Sequence, residues 1–346
     1  MGKAAAVTGI ETITPDWLSA ALGCRVRAVE AQPVGTGQVA DTYRLVLEGD
    51  DTPPTVIAKV PSADEVSRTA SKMTRTYEIE ASFYRDLANG LAVRSPHCFY
   101  ADHDPETDAY VVMLEDVAPA EQGDQIAGLD EPTIVAAIDE LAHLHGARWG
   151  DPRLAELGWL VRNSPENIAG TAALMGGCAG PFLERYRPRL APESVAATER
   201  IMPCIGEYLA QRTGPQTVVH GDFRADNLLV GGERVVVVDW QTVGLGPPAG
   251  DLAYLLGTSL LPEDRRRLER ELIGRYLDGV RAHGGEVDGD WLWTEYRKAS
   301  YAGLLMAVVA SILVGQTERG DEMFLAMADR SAALAADVDA AALLPG

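Results

Sequence analysis

The chain has 346 residues, 47% of them hydrophobic and 23% charged, which suits a packed protein of two domains or one large one and excludes a disordered chain. Its 30 basic residues against 51 acidic ones give a formal charge of −21. Such a surface repels phosphate backbones, so nucleic acid is not expected as a partner, while a cationic ligand would be attracted.

Met1–Val7 begins like a leader, but Thr8, Gly9 and Glu11 break the apolar run too early, and Ala6 stands where a myristoylation signal needs Ser or Thr. Thr14-Pro15-Asp16 is a helix start, and the helix it opens, Pro15–Leu22, stops at Gly23. Three strand-like runs follow: Val26–Gln32, Asp41–Glu48 and Thr55–Val60, with Gly35-Thr36-Gly37 joining the first two. A single long helix is expected over about Val66–Leu87, then two apolar runs, Cys98–Ala101 and Tyr110–Leu114, around a turn-rich stretch. Glu115–Asp130 is acidic and loop-like. It marks the boundary between a first domain, 1–115, and a second, 116–346.

From Glu131 the pattern turns helical, near Glu131–Trp149, Pro192–Arg212, Ala249–Leu260, Pro262–His283, Asp290–Gly315 and Asp321–Ala341. Tyr301–Gly315 is the most apolar stretch and is shorter than the ~18–20 residues that span a bilayer, so it reads as a buried helix. Cys24, Cys98, Cys178 and Cys204 form no C-x-x-C pair and read as reduced thiols in a cytoplasmic protein. The expected fold is α+β and bilobal: a small antiparallel sheet with one helix, then a larger, mostly helical lobe. A cleft between two such lobes is a common ligand site.

One β island interrupts the helices, at Thr217–Val219, Leu228–Val230 and Val235–Val238. If its hairpin is centred on Glu233, Leu228 faces Val238 and Asn227 faces Asp239. Opposed Cβ atoms lie ~4.5–5.5 Å apart, within reach of one hard cation. His220, Asp222, Asn227 and Asp239 thus follow the spacing H-x-D-x-x-x-x-N and a later aspartate, which is that of a phosphoryl-transfer site. Asp222 would orient a hydroxyl and take its proton, and Asn227 and Asp239 would hold Mg²⁺ against nucleotide phosphates. In the first lobe Gly35 and Gly37 offer a backbone that phosphate can approach, with Ala40 where a third glycine would complete the kinase loop. Lys59 is one of four lysines in the chain and lies inside the apolar strand VIAKV, where a charge needs a partner. It is read as the phosphate ligand. Glu78 and Glu80 both qualify as its ion-pair partner, and Glu80 is favoured because it stands one turn before the apolar face Phe83, Tyr84, Leu87.

The strings VIAKV, EASFYRDL, VVMLEDV, LAHLHGARW, VVHGDFRADNLLV and VVDWQTVGLGPPAGDLAYLL resemble the aminoglycoside phosphotransferase / choline kinase superfamily, which has a protein-kinase-like fold. Within it they are most similar to the ecdysteroid-kinase-like (CHK) branch. The resemblance implies ATP- and Mg²⁺-dependent phosphorylation of a small-molecule hydroxyl, with GTP an alternative donor. It implies Asp222 as catalytic base, Asn227 and Asp239 as metal ligands, and Lys59 as phosphate ligand. It puts Met113–Asp116 at a hinge where the backbone of Glu115 and Val117 would meet adenine, and makes Asp251 a brace for the catalytic loop.

Some features depart from the kinase pattern. Asp239-Trp240-Gln241 replaces D-F-G, and Gln241 stands where choline kinases typically carry an acid. Only eleven residues separate Asp239 from Asp251, too few for a long activation segment, so a protein substrate is not expected. His143 and His145 point to different faces of one helix and read as packing. Arg224 either neutralises phosphate or pairs with a nearby acid. Trp291, Trp293, Tyr296 and Tyr301 suit a core better than a pocket, and Glu318, Asp321 and Glu322 are either a cation-receiving group or a solvated loop. An antibiotic-inactivating phosphotransferase and a nucleotide-binding protein without phosphotransfer are the rival functions. All four key residues of a working site are present.

Overall fold

The structure is a computed structural model that describes residues 5–34, 39–162 and 164–345. The chain forms two compact units. The first takes Met1–Gly90, Ser95–Ala120 and Val238–Thr242; the second takes Leu91–Arg94, Glu121–Val237 and Val243–Gly346.

In the first unit, helix α1 (Pro15–Leu22) begins as its cap predicts: Thr14 accepts from the Trp17 amide, and Gly23 ends the helix in the left-handed region at φ 69°. Strands β1 (Arg25–Pro33), β2 (Ala40–Asp50), β3 (Thr55–Pro61), β4 (Cys98–Asp104) and β5 (Ala109–Glu115) make one antiparallel sheet in the order β1-β2-β3-β5-β4. Period-two alternation along β3 sends Val56, Ala58 and Val60 into a core with Trp17, Leu18, Val111 and Met113. Ile57 and Lys59 therefore point to the other face.

That other face is covered differently from expectation. The single helix over 66–87 is broken: α2 (Glu65–Thr74) stops at Arg75, which sits at φ 58°, and α3 (Thr76–Ser82) begins there and runs into a π-helical turn, Phe83–Leu87. The Arg75 side chain makes two bonds to Glu78, 2.8 and 2.9 Å, which tie the left-handed corner to the first turn of α3. The break turns Tyr77 onto Tyr110, their rings stacked at 4.4 Å, and buries Glu80 to 2% exposure.

The second unit is mostly helical. Its elements are β6 (Glu121–Gln122), α4 (Glu131–Ala147), β7 (Val161–Arg162), α5 (Pro165–Tyr186), α6 (Pro192–Ile201), α7 (Ile205–Ala210), β8 (Thr217–Val219), β9 (Leu228–Val230), β10 (Val236–Val237), β11 (Gly244–Gly246), α8 (Ala249–Ser259), α9 (Pro262–Ala282), α10 (Gly289–Ala299), α11 (Ala302–Leu313) and α12 (Glu318–Asp337). Two three-stranded sheets, β10-β9-β6 and β7-β11-β8, frame the catalytic-loop candidate 220–227. Helix α8 is buried along nearly its whole length, so its one acid, Asp251, has to be paired inside the protein. The helix expected over Pro192–Arg212 is interrupted at Pro203, which lacks the N–H that would continue it. The one expected over Asp290–Gly315 divides at Ser300 and Tyr301 into α10 and α11. No helix among the described residues is long and apolar enough to cross a membrane.

Candidate active site

In the first unit β3 places Lys59 opposite Thr42 on one side and Val112 on the other. Its ammonium donates to Glu80 Oε1 at 2.6 Å and to Asp239 Oδ1 at 3.2 Å. Glu80 Oε2 accepts from the Tyr110 hydroxyl at 2.6 Å, so both oxygens of the buried carboxylate are engaged. Burial alone would lower the Lys59 pKa, but Glu80 and Asp239 outweigh it and hold the group above the ordinary lysine value. Glu78, the other candidate partner, pairs with Arg75 instead. Asp239 has φ 67°, the left-handed region that aspartate tolerates better than most residues. Its Oδ2 accepts from Gln241 at 3.1 Å, and Trp240 is fully buried and stacked on Phe83 at 4.0 Å.

The hairpin that leads to Asp239 is offset by one residue from the assumed register. Val236 pairs with Leu229 and Val237 with Leu228. The ladder ends there, Asn227 belongs to a 3₁₀ turn, and Asp239 lies past the last paired residue. The expected opposition of Asn227 and Asp239 across the ladder is therefore not the arrangement present. The reason is the tight turn over Gly231–Arg234, centred between Gly232 and Glu233 rather than on Glu233.

In the second unit the loop after β8 is held from α8. Asp251 Oδ2 accepts from the His220 amide at 2.6 Å, and Oδ1 accepts from the Gly221 amide at 3.0 Å. His145 Nε2 lies 3.2 Å from Asp251 and its Nδ1 lies 2.7 Å from the Tyr276 hydroxyl. One neutral tautomer, Nε2–H to Asp251 with Nδ1 accepting from Tyr276, satisfies both contacts. Burial would raise the Asp251 pKa, but the His145 and His220 contacts outweigh it and hold the group below the usual carboxylate value. His145 is thus a packed, bonded core histidine, as its helix position suggests.

Asp222 is bonded on both oxygens. Tyr254 donates to Oδ1 at 2.6 Å, Asn227 Nδ2 to Oδ2 at 2.8 Å, and Arg224 Nε lies 3.1 and 3.3 Å from the two. Arg224 also reaches Asp226 at 3.0 Å, and Asp226 takes a two-pronged bond from Arg319 at 3.1 and 3.2 Å. Arg224 therefore pairs with two acids of its own loop. Burial would lower its pKa, but Asp222 leads the groups that keep it above the ordinary arginine value. Tyr254 and Arg319 were not singled out from the sequence. Tyr254 had a usable signal, since it stands one helical turn after Asp251 within the string GDLAYLL; Arg319 had none.

The remaining candidates fall as follows. Gly35 and Gly37 lie outside the described residues. The Met113 side chain is fully buried in the core beside α1. Glu115 exchanges bonds with His97, its amide donating to His97 O at 2.8 Å and its carboxylate accepting from the His97 amide at 3.0 Å. The Val117 carbonyl accepts from the Ala120 amide at 3.0 Å. Asp321 bonds Tyr186 and Gln316, and Glu322 pairs with Arg189. Tyr296 and Tyr301 are core.

A magnesium ion held largely by phosphates needs only one or two protein oxygens. Among the described residues no group of three or more His, Cys, Asp or Glu is arranged to hold a metal alone. Asn227 fits the smaller role: both of its side-chain bonds are made by Nδ2, to the Asp222 carbonyl and carboxylate, which leaves its amide oxygen as a hard donor. Asp239, in the first unit, carries carboxylate oxygens of the same hard kind.

Residues 30–291 match the model of the phosphotransferase enzyme family, APH. The chain belongs to this family. Acyl-CoA dehydrogenase family member 10 of Mus musculus is 40% identical over 74 residues, which is 20% of this chain and only 7% of that protein. Three solved structures share the fold of this phosphotransferase chain. A protein of Ralstonia eutropha JMP134 assigned to the aminoglycoside phosphotransferases is 17% identical, with a TM-score of 0.58 over 96% of this chain and 98% of that one. Choline kinase of Cryptosporidium parvum Iowa II is 11% identical, with a TM-score of 0.59 over 94% and 92%. APH(2″)-IIa in its ternary complex with streptomycin and ATP is 18% identical, with a TM-score of 0.51 over 89% and 96%.

Proposed function

We propose that this family member transfers the γ-phosphoryl group of ATP, with Mg²⁺, to the hydroxyl of a small molecule. The observation that carries the reading is Lys59 gripped by Glu80 and Asp239, three residues separated in sequence that form one ionic cluster around the buried Glu80 carboxylate. Lys59 meets the nucleotide phosphates in this reading, and Glu80 keeps it aimed. The Met113–Val117 strand end takes the adenine side. Mg²⁺ on Asn227 and Asp239 would neutralise phosphate charge. Asp222 receives the acceptor hydroxyl in a hydrogen bond and takes its proton as the acceptor oxygen bonds the γ-phosphorus. The bond from that phosphorus to the ADP oxygen breaks, and ADP leaves with the electron pair. Positioning and fixed charge supply the rate. GTP would serve the same geometry as donor. Within the family, the strings quoted above support placement nearest the ecdysteroid-kinase-like branch.

The formal charge of −21 favours one narrower reading, an antibiotic-inactivating enzyme with a cationic acceptor. A minimum-inhibitory-concentration screen tests it, and no rise for any aminoglycoside would remove it.

The test of the main reading has two stages. A thermal-shift titration with ATP or GTP, with and without Mg²⁺, should give a Mg²⁺-dependent rise in midpoint that Asp239→Ala abolishes. A screen of hydroxyl compounds for ADP release should then find turnover that Asp222→Ala abolishes while leaving the nucleotide shift intact. Full turnover in Asp222→Ala would sink the assignment.

A further inference from the structure

Helix α8 does more than brace the backbone of the loop. Asp251 holds the amides of His220 and Gly221, Ser259 Oγ accepts from the Ala225 amide at 3.0 Å, and Tyr254 bonds the side chain of Asp222. Asp251 and Tyr254 are three residues apart, so one helix face presents both. The Tyr254 hydroxyl donates to Oδ1 at 2.6 Å while Asn227 donates to Oδ2 at 2.8 Å from the loop itself, and the Arg224 Nε lies farther from both oxygens, at 3.1 and 3.3 Å. A carboxylate with a donor fixed on each oxygen cannot rotate without breaking one of them. Tyr254 is 3% exposed, and burial, with the charge of Asp222 beside it, pushes its pKa well above the ordinary tyrosine value.

We propose that Tyr254 is a positioning residue for the phosphotransfer: its hydroxyl fixes the plane of the Asp222 carboxylate, so that the acceptor hydroxyl meets it in one orientation. The inference rests on the functional reading above, because it needs Asp222 to face the acceptor. Tyr254 acts through Asp222 and touches neither nucleotide nor acceptor.

Tyr254→Phe removes one oxygen and keeps the ring. ADP release from Mg·ATP is followed with water as acceptor and then with the compound the hydroxyl screen returns. The expected result is a fall in kcat of about tenfold with KM for ATP unchanged, since a misplacement of ~1 Å costs up to ~100-fold. A residue that only filled space would leave kcat in place as well as KM, because Tyr254→Phe keeps the ring. An unchanged Mg·ATP thermal shift would show the variant folded. A kcat equal to the parent's would overturn the proposal. No ADP release from the parent with either acceptor would instead remove the functional reading, and this proposal with it. Should Tyr254→Phe fail to fold, the parent's Tyr254 hydroxyl proton decides: a slowly exchanging, hydrogen-bonded resonance that shifts in Asp222→Asn supports the contact, and its absence refutes it.

Discussion

Lys59→Met tests the ionic cluster of the first unit directly, because it keeps an unbranched apolar stem and removes the ammonium group. Lys59 is 15% exposed and the Glu80 side chain 3%. After the substitution Glu80 would keep the Tyr110 hydroxyl and Asp239 the Gln241 amide, with no cation between them. Removing one partner of a buried pair costs about 3–5 kcal/mol. The surviving donors, and the 27% exposure of Asp239, put the expected loss at the lower end, about 3 kcal/mol. In a chain of this length each kcal/mol moves the midpoint by roughly 2 °C, so thermal unfolding should begin about 6 °C earlier. Glu80→Gln should cost less, about 1–2 kcal/mol, since Lys59 keeps Asp239. The double variant Lys59→Met/Glu80→Gln should be more stable than Lys59→Met by about 1 kcal/mol, because no buried carboxylate is left without its cation. The pH dependence has a definite sign. The folded pKa of Lys59 lies above its ordinary value of 10.5, so its contribution is complete below that value and is lost only as pH rises past it. The gap between parent and Lys59→Met should stay flat from about pH 6 to 9. A midpoint within 1 °C of the parent's, a double variant as unstable as the sum of the singles, or a gap that closes within that window would refute the reasoning.

Asp251→Asn should cost about 2–3 kcal/mol in thermal unfolding and speed hydrogen exchange at the His220 and Gly221 amides, because one amide oxygen cannot accept what two carboxylate oxygens accept. The folded pKa of Asp251 is depressed, so this contribution is present above the ordinary aspartate value of 3.8 and fades as pH falls below it; the parent–variant gap should narrow only in acid. Gly177→Ala should stabilise α5 by about 0.5–1 kcal/mol, read as a higher midpoint, since the position is helical and exposed and an added Cβ meets nothing within 4 Å. Burial pushes the Cys98 thiol up to about 12, so alkylation at pH 8 followed by peptide mass spectrometry should label Cys24 and Cys204 first.

What the sequence could and could not reveal divides along the range of the interactions involved. Pro15–Leu22 is framed by a local cap at Thr14 and a local stop at Gly23, and it was legible residue for residue. The strands were legible because period-two alternation in VIAKV reflects one buried face, and the buried cation in it pointed to its acid. The break at Arg75 was not legible, because a non-glycine residue in the left-handed region carries no sequence sign; it is held by the Glu78 pair and by the packing of Tyr77 on Tyr110. Helix α5 was missed for the opposite reason. Gly170, Gly176, Gly177, Gly180 and Pro181 depress its intrinsic propensity, and tertiary packing of Cys178, Phe182 and Tyr186 overrides that.

The candidate site shows the same division at the scale of single side chains. Asp222, Asn227 and Asp239 stand out because their spacing is itself the signal, yet the partners that aim them come from elements whose contacts no spacing announces. Arg319 reaches Asp226 from the first turn of α12, ninety-three residues further on. Tyr254 is the intermediate case. Once Ala249–Leu260 is taken as a helix with Asp251 turned toward the catalytic loop, the residue one turn later must face the same loop. A tyrosine there has a ring to bury and a hydroxyl that needs an acceptor, and the nearest side chain of that loop is Asp222. The role of Tyr254 therefore follows from placing a recognised motif on a helix before asking which further residues that helix must present.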